Sequence, residues 1–155
     1  MANPISERPL RALIDDLANA IRAKDVNAVM TYYAPDVLAF DLLPPLQYRG
    51  AEAIRNRLSE WFSSFEGPIG FEMRGLKITE GGDVAFCHSL NGVSGTNTGG
   101  KRVEMWWRAT TCFRKIDGQW LVTHGHSSSL LICEAAKPCL TSNHSMRDSR
   151  RYGRP

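Results

Sequence analysis

No apolar run in this 155-residue sequence approaches the roughly 20 residues that a membrane span needs. The amino terminus, MANPISERPLRALIDD, has no basic stretch followed by an apolar block. It does not read as a secretory signal, so a cytoplasmic protein is the default expectation. The four cysteines, Cys87, Cys112, Cys133 and Cys139, form no C-x-x-C pair. That pattern supports neither a cysteine zinc site nor a disulfide framework, and no H-E-x-x-H signature points to another metal. Cys87 and Cys112 fall in strand-like runs, where a free thiol packs as a small hydrophobe. No glycine-rich loop opens a helix to cradle a phosphate, since TNTGG leads into strand-like residues; no organic cofactor is implied. There is no internal repeat. The formal charge of +3 belongs to one end. Residues 134–155 carry five basic and two acidic side chains, whereas residues 1–133 carry fourteen of each sign. A nucleic-acid-binding fold would show its basic surface on the folded body, so no nucleic-acid partner is expected.

What is present is one globular domain, long enough to bury roughly 70% of its unfolded surface. Leu10, Leu13, Ile14, Leu17 and Ile21 recur at helical steps after Ser6, a candidate N-cap. Asp25 can cap a short second helix, VNAVMTYYA, which Pro35 ends. A strand-like run from Val37 to Leu42 follows, then a PPLQYRG loop. A third helix, AEAIRNRLSEWFSSF, carries Ile54, Leu58, Trp61, Phe62 and Phe65 on one side. Four strand-like stretches complete the body: IGFEMRGLKIT, VAFCHSLNGVSG, KRVEMWWRATTCFRKI and QWLVTHGHSSSLLI. The last two are joined by the hairpin signal Asp117-Gly118. Helices first and strands afterwards argue for an α+β fold, a curved, mostly antiparallel sheet with about three N-terminal helices on one face. The short first strand is expected at the sheet edge. The domain is expected over residues 1–133. Residues 134–155 have little apolar content and no period, and read as a disordered tail.

A concave sheet covered by helices leaves a cavity at its open end, and apolar walls with a few polar groups suit a small molecule. Strand parity places Val84, Phe86, His88 and Leu90 on one face, read as the interior, and Trp120, Val122, His124, His126 and Ser128 on another common face. For residues 101–116 both faces are partly apolar, and parity does not decide which is inside. Candidate polar groups are Asp41, His88, Asn91, Arg108, His124 and His126, with the Tyr32 and Tyr33 hydroxyls; candidate walls are Phe40, Trp61, Phe62, Phe86, Trp106 and Trp107. Plainer alternatives stand beside these: His88 as a hydrogen-bonded core residue, Arg108 as a surface ion-pair partner, His124 and His126 with one ring buried and the other at a rim or subunit contact (or, given a third ligand, on a metal), Asp41 as a turn cap before Pro44. Asp41 ends an apolar run, and desolvation there would raise its carboxyl toward the range useful for proton transfer.

The segments YAPDVLAFD, YRGAEAI and RKIDGQWLVTHGH, in this order over about residues 6–130, resemble the SnoaL-like and ketosteroid-isomerase-like branch of the NTF2-like superfamily. The resemblance implies a cone-shaped sheet with three helices, a pocket opening in the cone, and a homodimer through the sheet. In ketosteroid isomerases the aspartate closing such a segment is the proton-shuttling base, a position held here by Asp41. The positions supplying the tyrosine and second acid of their oxyanion hole fall near Leu17 and near Trp107 or Arg108. His88, His124 or Arg108 would take their place. The implied function is a small-molecule-binding protein or an isomerase, cyclase or hydro-lyase acting on an apolar, carbonyl-containing ligand. Catalytic roles would fall to Asp41, His88 and His124, and binding roles to Tyr33, Phe40, Trp61, Phe62, Asn91, Trp107, Arg108 and His126. The DGQWLVTHGHSS ending is also similar to the association domain of calmodulin-dependent kinases, which implies the alternative of a non-catalytic oligomerisation module.

Overall fold

The computed structural model describes residues 9–130. Ser6 and the 134–155 tail lie outside the described residues. Helix α1 (Leu10–Arg22) buries Leu10, Leu13, Ile14 and Ala18, the stripe that the sequence spacing gives. Its C-terminal end is tied to the sheet by Arg22, whose Nε donates to the Phe71 carbonyl at 2.8 Å, and by Lys24, whose Nζ donates to the Phe65 carbonyl at 2.9 Å. Asp25 caps α2 (Val26–Met30) by accepting the Ala28 N–H at 2.9 Å.

The chain becomes extended sooner than the VNAVMTYYA reading allows. Strand β1 (Tyr33–Phe40) already contains Pro35, which lies between Tyr33 and Leu38, where pairing with the neighbouring strand shifts register. A proline has no N–H for a ladder and is tolerated at such an irregularity. PPLQYRG is not wholly loop: Tyr48–Arg49 forms a short β2 that pairs antiparallel with Leu38 and Ala39. Helix α3 (Ala51–Ser63) follows Gly50, whose φ of +85° is costly for a residue with a Cβ.

Four long strands complete the sheet: β3 (Phe65–Gly81), β4 (Val84–Asn97), β5 (Arg102–Ile116) and β6 (Gln119–Ser128). Asp117 and Gly118 both have positive φ, at 50° and 77°, the backbone that a two-residue type I′ hairpin requires. The strand order is β2-β1-β6-β5-β4-β3, with β1 parallel to β6 and every other pair antiparallel. The first strand is therefore one place in from the edge, which β2 occupies.

All three helices lie against one face of this sheet. One buried cluster joins Leu10, Leu13 and Ile14 to Val37, Ile54, Phe113, Trp120 and Val122; a second joins Val29, Phe62, Phe65, Ile69 and Val93. The opposite face has no helix over it among the described residues. It exposes Val84, Phe86 and Leu90, the last at 52% of its surface.

Candidate functional site

The space between the helices and the inner face of the sheet holds a cavity of about 230 Å³. Helix α1 contributes Leu17, Ala18 and Ile21, and α3 contributes Ile54, Arg57, Leu58 and Trp61. On the sheet side, Ala39, Gly125, Thr111 and Cys87 occupy one continuous row of register partners, all lining the cavity. These side chains are small, which is why room remains beneath the helices. At one end Trp107 meets Trp61 at 6.3 Å between ring centroids, nearly perpendicular, and Phe71 at 6.2 Å.

The polar groups on this wall are few. Asp41 follows directly on β1. Its Oδ2 accepts from Arg57 Nε at 2.5 Å, and its Oδ1 accepts the Leu42 N–H at 2.6 Å. The two side chains are 23% and 18% exposed, so this ion pair is largely withdrawn from solvent. Ser89 Oγ donates to Asn91 Oδ1 at 2.7 Å, leaving the Asn91 amide nitrogen for the cavity. Burial, and secondarily the charge of Asp41, push the Tyr33 phenol up from 10.0 to about 12. It is a neutral donor at physiological pH. The Cys87 thiol is likewise pushed up, from 9.0 to about 11, chiefly by burial. An acid whose folded-state pKa is raised contributes stability below its unfolded pKa and loses it as pH climbs to the folded one. Stability should therefore fall from pH 9 through about pH 12. Tyr33→Phe is expected to flatten the upper part of that fall, from pH 10, while the Cys87 part persists; urea midpoints measured against pH in both proteins check this.

The structure brings together Asp41, Tyr33, Trp61, Asn91 and Trp107 from the sequence-derived set, with Phe40 and His126 bordering the same cavity. The side chains of these two stand on the row of Thr110 and His88, on the outer face, where the exposed His126 ring lies 5.6 Å from that of Phe40. The other members are placed elsewhere. His88 points away from the cavity: in β4 the buried residues are Ala85, Cys87 and Ser89, whereas Val84, Phe86, His88 and Leu90 are exposed. The parity was right and the face was inverted, because the bulkier apolar residues occupy the uncovered side. Arg108, the register partner of Leu90, is exposed on that same outer face, as is Phe86. Trp106 lies there too, over Gly92 and under the Arg74 guanidinium at 4.2 Å. Phe62 is 4% exposed and belongs to the second buried cluster, one helical position away from the cavity-facing Trp61.

His124 is displaced by a β-bulge. Val122 pairs with Phe113 and His124 with the very next residue, Cys112, so Thr123 is an extra residue that reverses the alternation. Trp120 and Val122 consequently face the core. His124 instead stands on the row of Cys112 and Phe86, its Nδ1–H donating to the Leu38 carbonyl at 2.8 Å and its ring against Phe40. Among the described residues no group of three or more His, Cys, Asp or Glu side chains is placed to hold a metal.

The sequence profile of the SnoaL-like domain matches residues 10–132. The chain belongs to the SnoaL-like family. This SnoaL-like chain superposes with a TM-score of 0.73 on the crystal structure of an NTF2-like protein of unknown function from Pseudomonas putida KT2440, at 30% identity over 86% of this chain and 93% of that one. A candidate calcium/calmodulin dependent protein kinase II association domain from Xanthomonas campestris gives 0.70 at 22% identity, over 84% and 94% of the two chains. A candidate dehydratase of the NTF2-like family from Streptomyces avermitilis also gives 0.70, at 15% identity over 84% and 100%. The last two likenesses concern the fold alone. No curated protein matches.

Within this SnoaL-like cone the residue that sequence reasoning missed is Arg57. Its signal was present: Ile54, Arg57, Leu58 and Trp61 follow one another at three- and four-residue steps, so Arg57 is a cation set into the apolar stripe of α3. Leu17 and Trp107, at the positions where ketosteroid isomerases would supply oxyanion-hole groups, both line the cavity. Neither is an acid or a phenol.

Proposed function

We propose that this SnoaL-like protein binds a small, apolar, carbonyl-containing molecule in the cone and transfers a proton on it, as an isomerase, cyclase or hydro-lyase does. The observation that carries this reading is Asp41, a carboxylate on the wall of an otherwise apolar cavity, held in place by Arg57. Each carboxylate oxygen keeps a further lone pair, so Asp41 can accept a substrate proton while Arg57 orients it. The neutral Tyr33 hydroxyl and the Asn91 amide supply donors for an oxygen that gains charge, a kind of contact worth about 10²–10³ in rate. The likeness to a candidate dehydratase agrees with this reading at the level of the fold.

A second reading, a non-catalytic association module, is favoured by the uncovered sheet face with Phe86 and Leu90. A patch of that kind suits a partner, and a second copy of the chain is the occupant we propose under either reading. Native mass spectrometry of protein purified from its own host tests both. A dimer carrying a releasable apolar molecule is expected, with Asp41→Asn retaining that mass but turning it over about 10²–10⁴-fold more slowly. Larger rings free of any adduct, and an Asp41→Asn protein indistinguishable from the wild type, would favour the association module.

A further inference from the structure

Among the described residues one cation lines the cavity, and it is only partly engaged by the protein. Asp41 has both oxygens engaged, by Arg57 Nε and by the Leu42 N–H, and Asn91 Oδ1 is engaged by Ser89 Oγ. The nitrogen donors left for a ligand are the Asn91 amide and the end-on edge of the Arg57 guanidinium, formed by Nη1 and Nη2, beside lining hydroxyl residues such as Tyr33, Thr111 and Ser127. Among the described residues neither nitrogen of that edge makes a hydrogen bond to the protein. Arg57 is also the one Lys or Arg lining the cavity among the described residues. A planar edge of two parallel N–H donors matches the two oxygens of a carboxylate, and a single carbonyl oxygen would leave one donor unmatched.

Building on the small-molecule reading above, we propose that the ligand is a compact apolar carboxylic acid, bound as its anion on the Nη edge of Arg57, with a ring against Trp61 and Trp107. Asp41 then plays a second part, neutralising Arg57 while the site is empty and fixing the plane of the fork. The dimensions agree. An apolar cavity of about 150 Å³ accepts benzene, and the 230 Å³ here leaves space for a ring with a short acid side chain.

The test compares 3-phenylpropionate with 3-phenylpropionamide, two probes of nearly equal shape that differ in charge. Binding to the full chain is followed by calorimetry and by the fluorescence of Trp61 and Trp107. The acid is expected to bind about 10- to 100-fold more tightly than the amide. Asp41→Asn/Arg57→Gln, which removes both charges and strands neither, should erase that preference, and Arg57→Lys should keep only part of it. Equal binding of acid and amide to the wild type, or a preference that survives the double substitution, overturns the carboxylate clamp while the cavity remains a binding site. Failure of both probes to bind overturns the clamp and the small-molecule reading together.

Discussion

Phe113→Ala is expected to cost about 3–5 kcal/mol, the upper range for emptying a packed aromatic site. Phe113 is 2% exposed and is the largest of the side chains buried almost completely. Its register partners are Ala85 on one side and Val122 on the other, both buried, and α1 closes over the three. Ala85 is too small to fill the vacated volume, and Val122 has one stiff rotamer preference and cannot swing across it. Phe113 also borders the cavity, so the void would merge with it and admit water to its floor. Urea denaturation should show a much lower midpoint with an unchanged slope. A loss under about 1 kcal/mol would mean that this row does not lie beneath α1.

Arg57→Met should be the most damaging substitution of a charged residue. It leaves the Asp41 carboxylate in a largely withdrawn position without its partner, and removing one member of a fully buried pair costs about 3–5 kcal/mol. With the two side chains 18% and 23% exposed, residual solvation lowers the expected loss to about 2–3 kcal/mol. Asp41→Asn/Arg57→Met should recover most of it, because an amide facing a thioether strands no charge. A double-mutant cycle in urea isolates the coupling between the two. A coupling under about 0.5 kcal/mol would mark the pair as an ordinary surface bridge, and the polar end of the cavity would then be wet. Ligand binding supplies a second readout, since Arg57→Met should lose the preference for acid probes whatever its effect on folding.

The helical half of the fold was open to reading because its signals are local. The spacing from Leu10 to Ile21, the Asp25 cap and the Asp117-Gly118 turn each act within a few residues, and each is where the sequence placed it. The site was harder because it depends on which face of the sheet the helices cover. Period-two alternation sorts β4 into two sets correctly but carries no sign, and the rule that apolar means interior fails where Phe86 and Leu90 lie on an uncovered face. His124 was lost for another reason: the extra residue at Thr123 leaves no compositional trace in the QWLVTH segment that contains it. Asp41 was found because an acid ending an apolar run is conspicuous by itself. Arg57 was overlooked because long cationic side chains commonly extend from an apolar stripe into water, and only the tertiary fold shows this one turned toward the cavity.

The parallel pairing of β1 with β6 has a consequence for how the molecule is made. Strands Tyr33–Phe40 and Tyr48–Arg49 reach the rest of the sheet only through Gln119–Ser128, the last strand of the described chain to leave the ribosome. Until that segment emerges, β3, β4 and β5 can assemble as a meander of local hairpins, but the Asp41 end of the cone has no neighbour to pair with. Completion of this end of the sheet is thus a late, long-range event, pairing residues as far apart in the chain as Tyr33 and Val122, and such contacts form slowly. A nascent chain halted before residue 119 has the helices to lay on β3 and β4, through Val29, Phe62, Phe65, Ile69 and Val93, but leaves β1 and β5 without their common neighbour. The wall that carries Asp41 is completed only when synthesis of the domain is nearly finished.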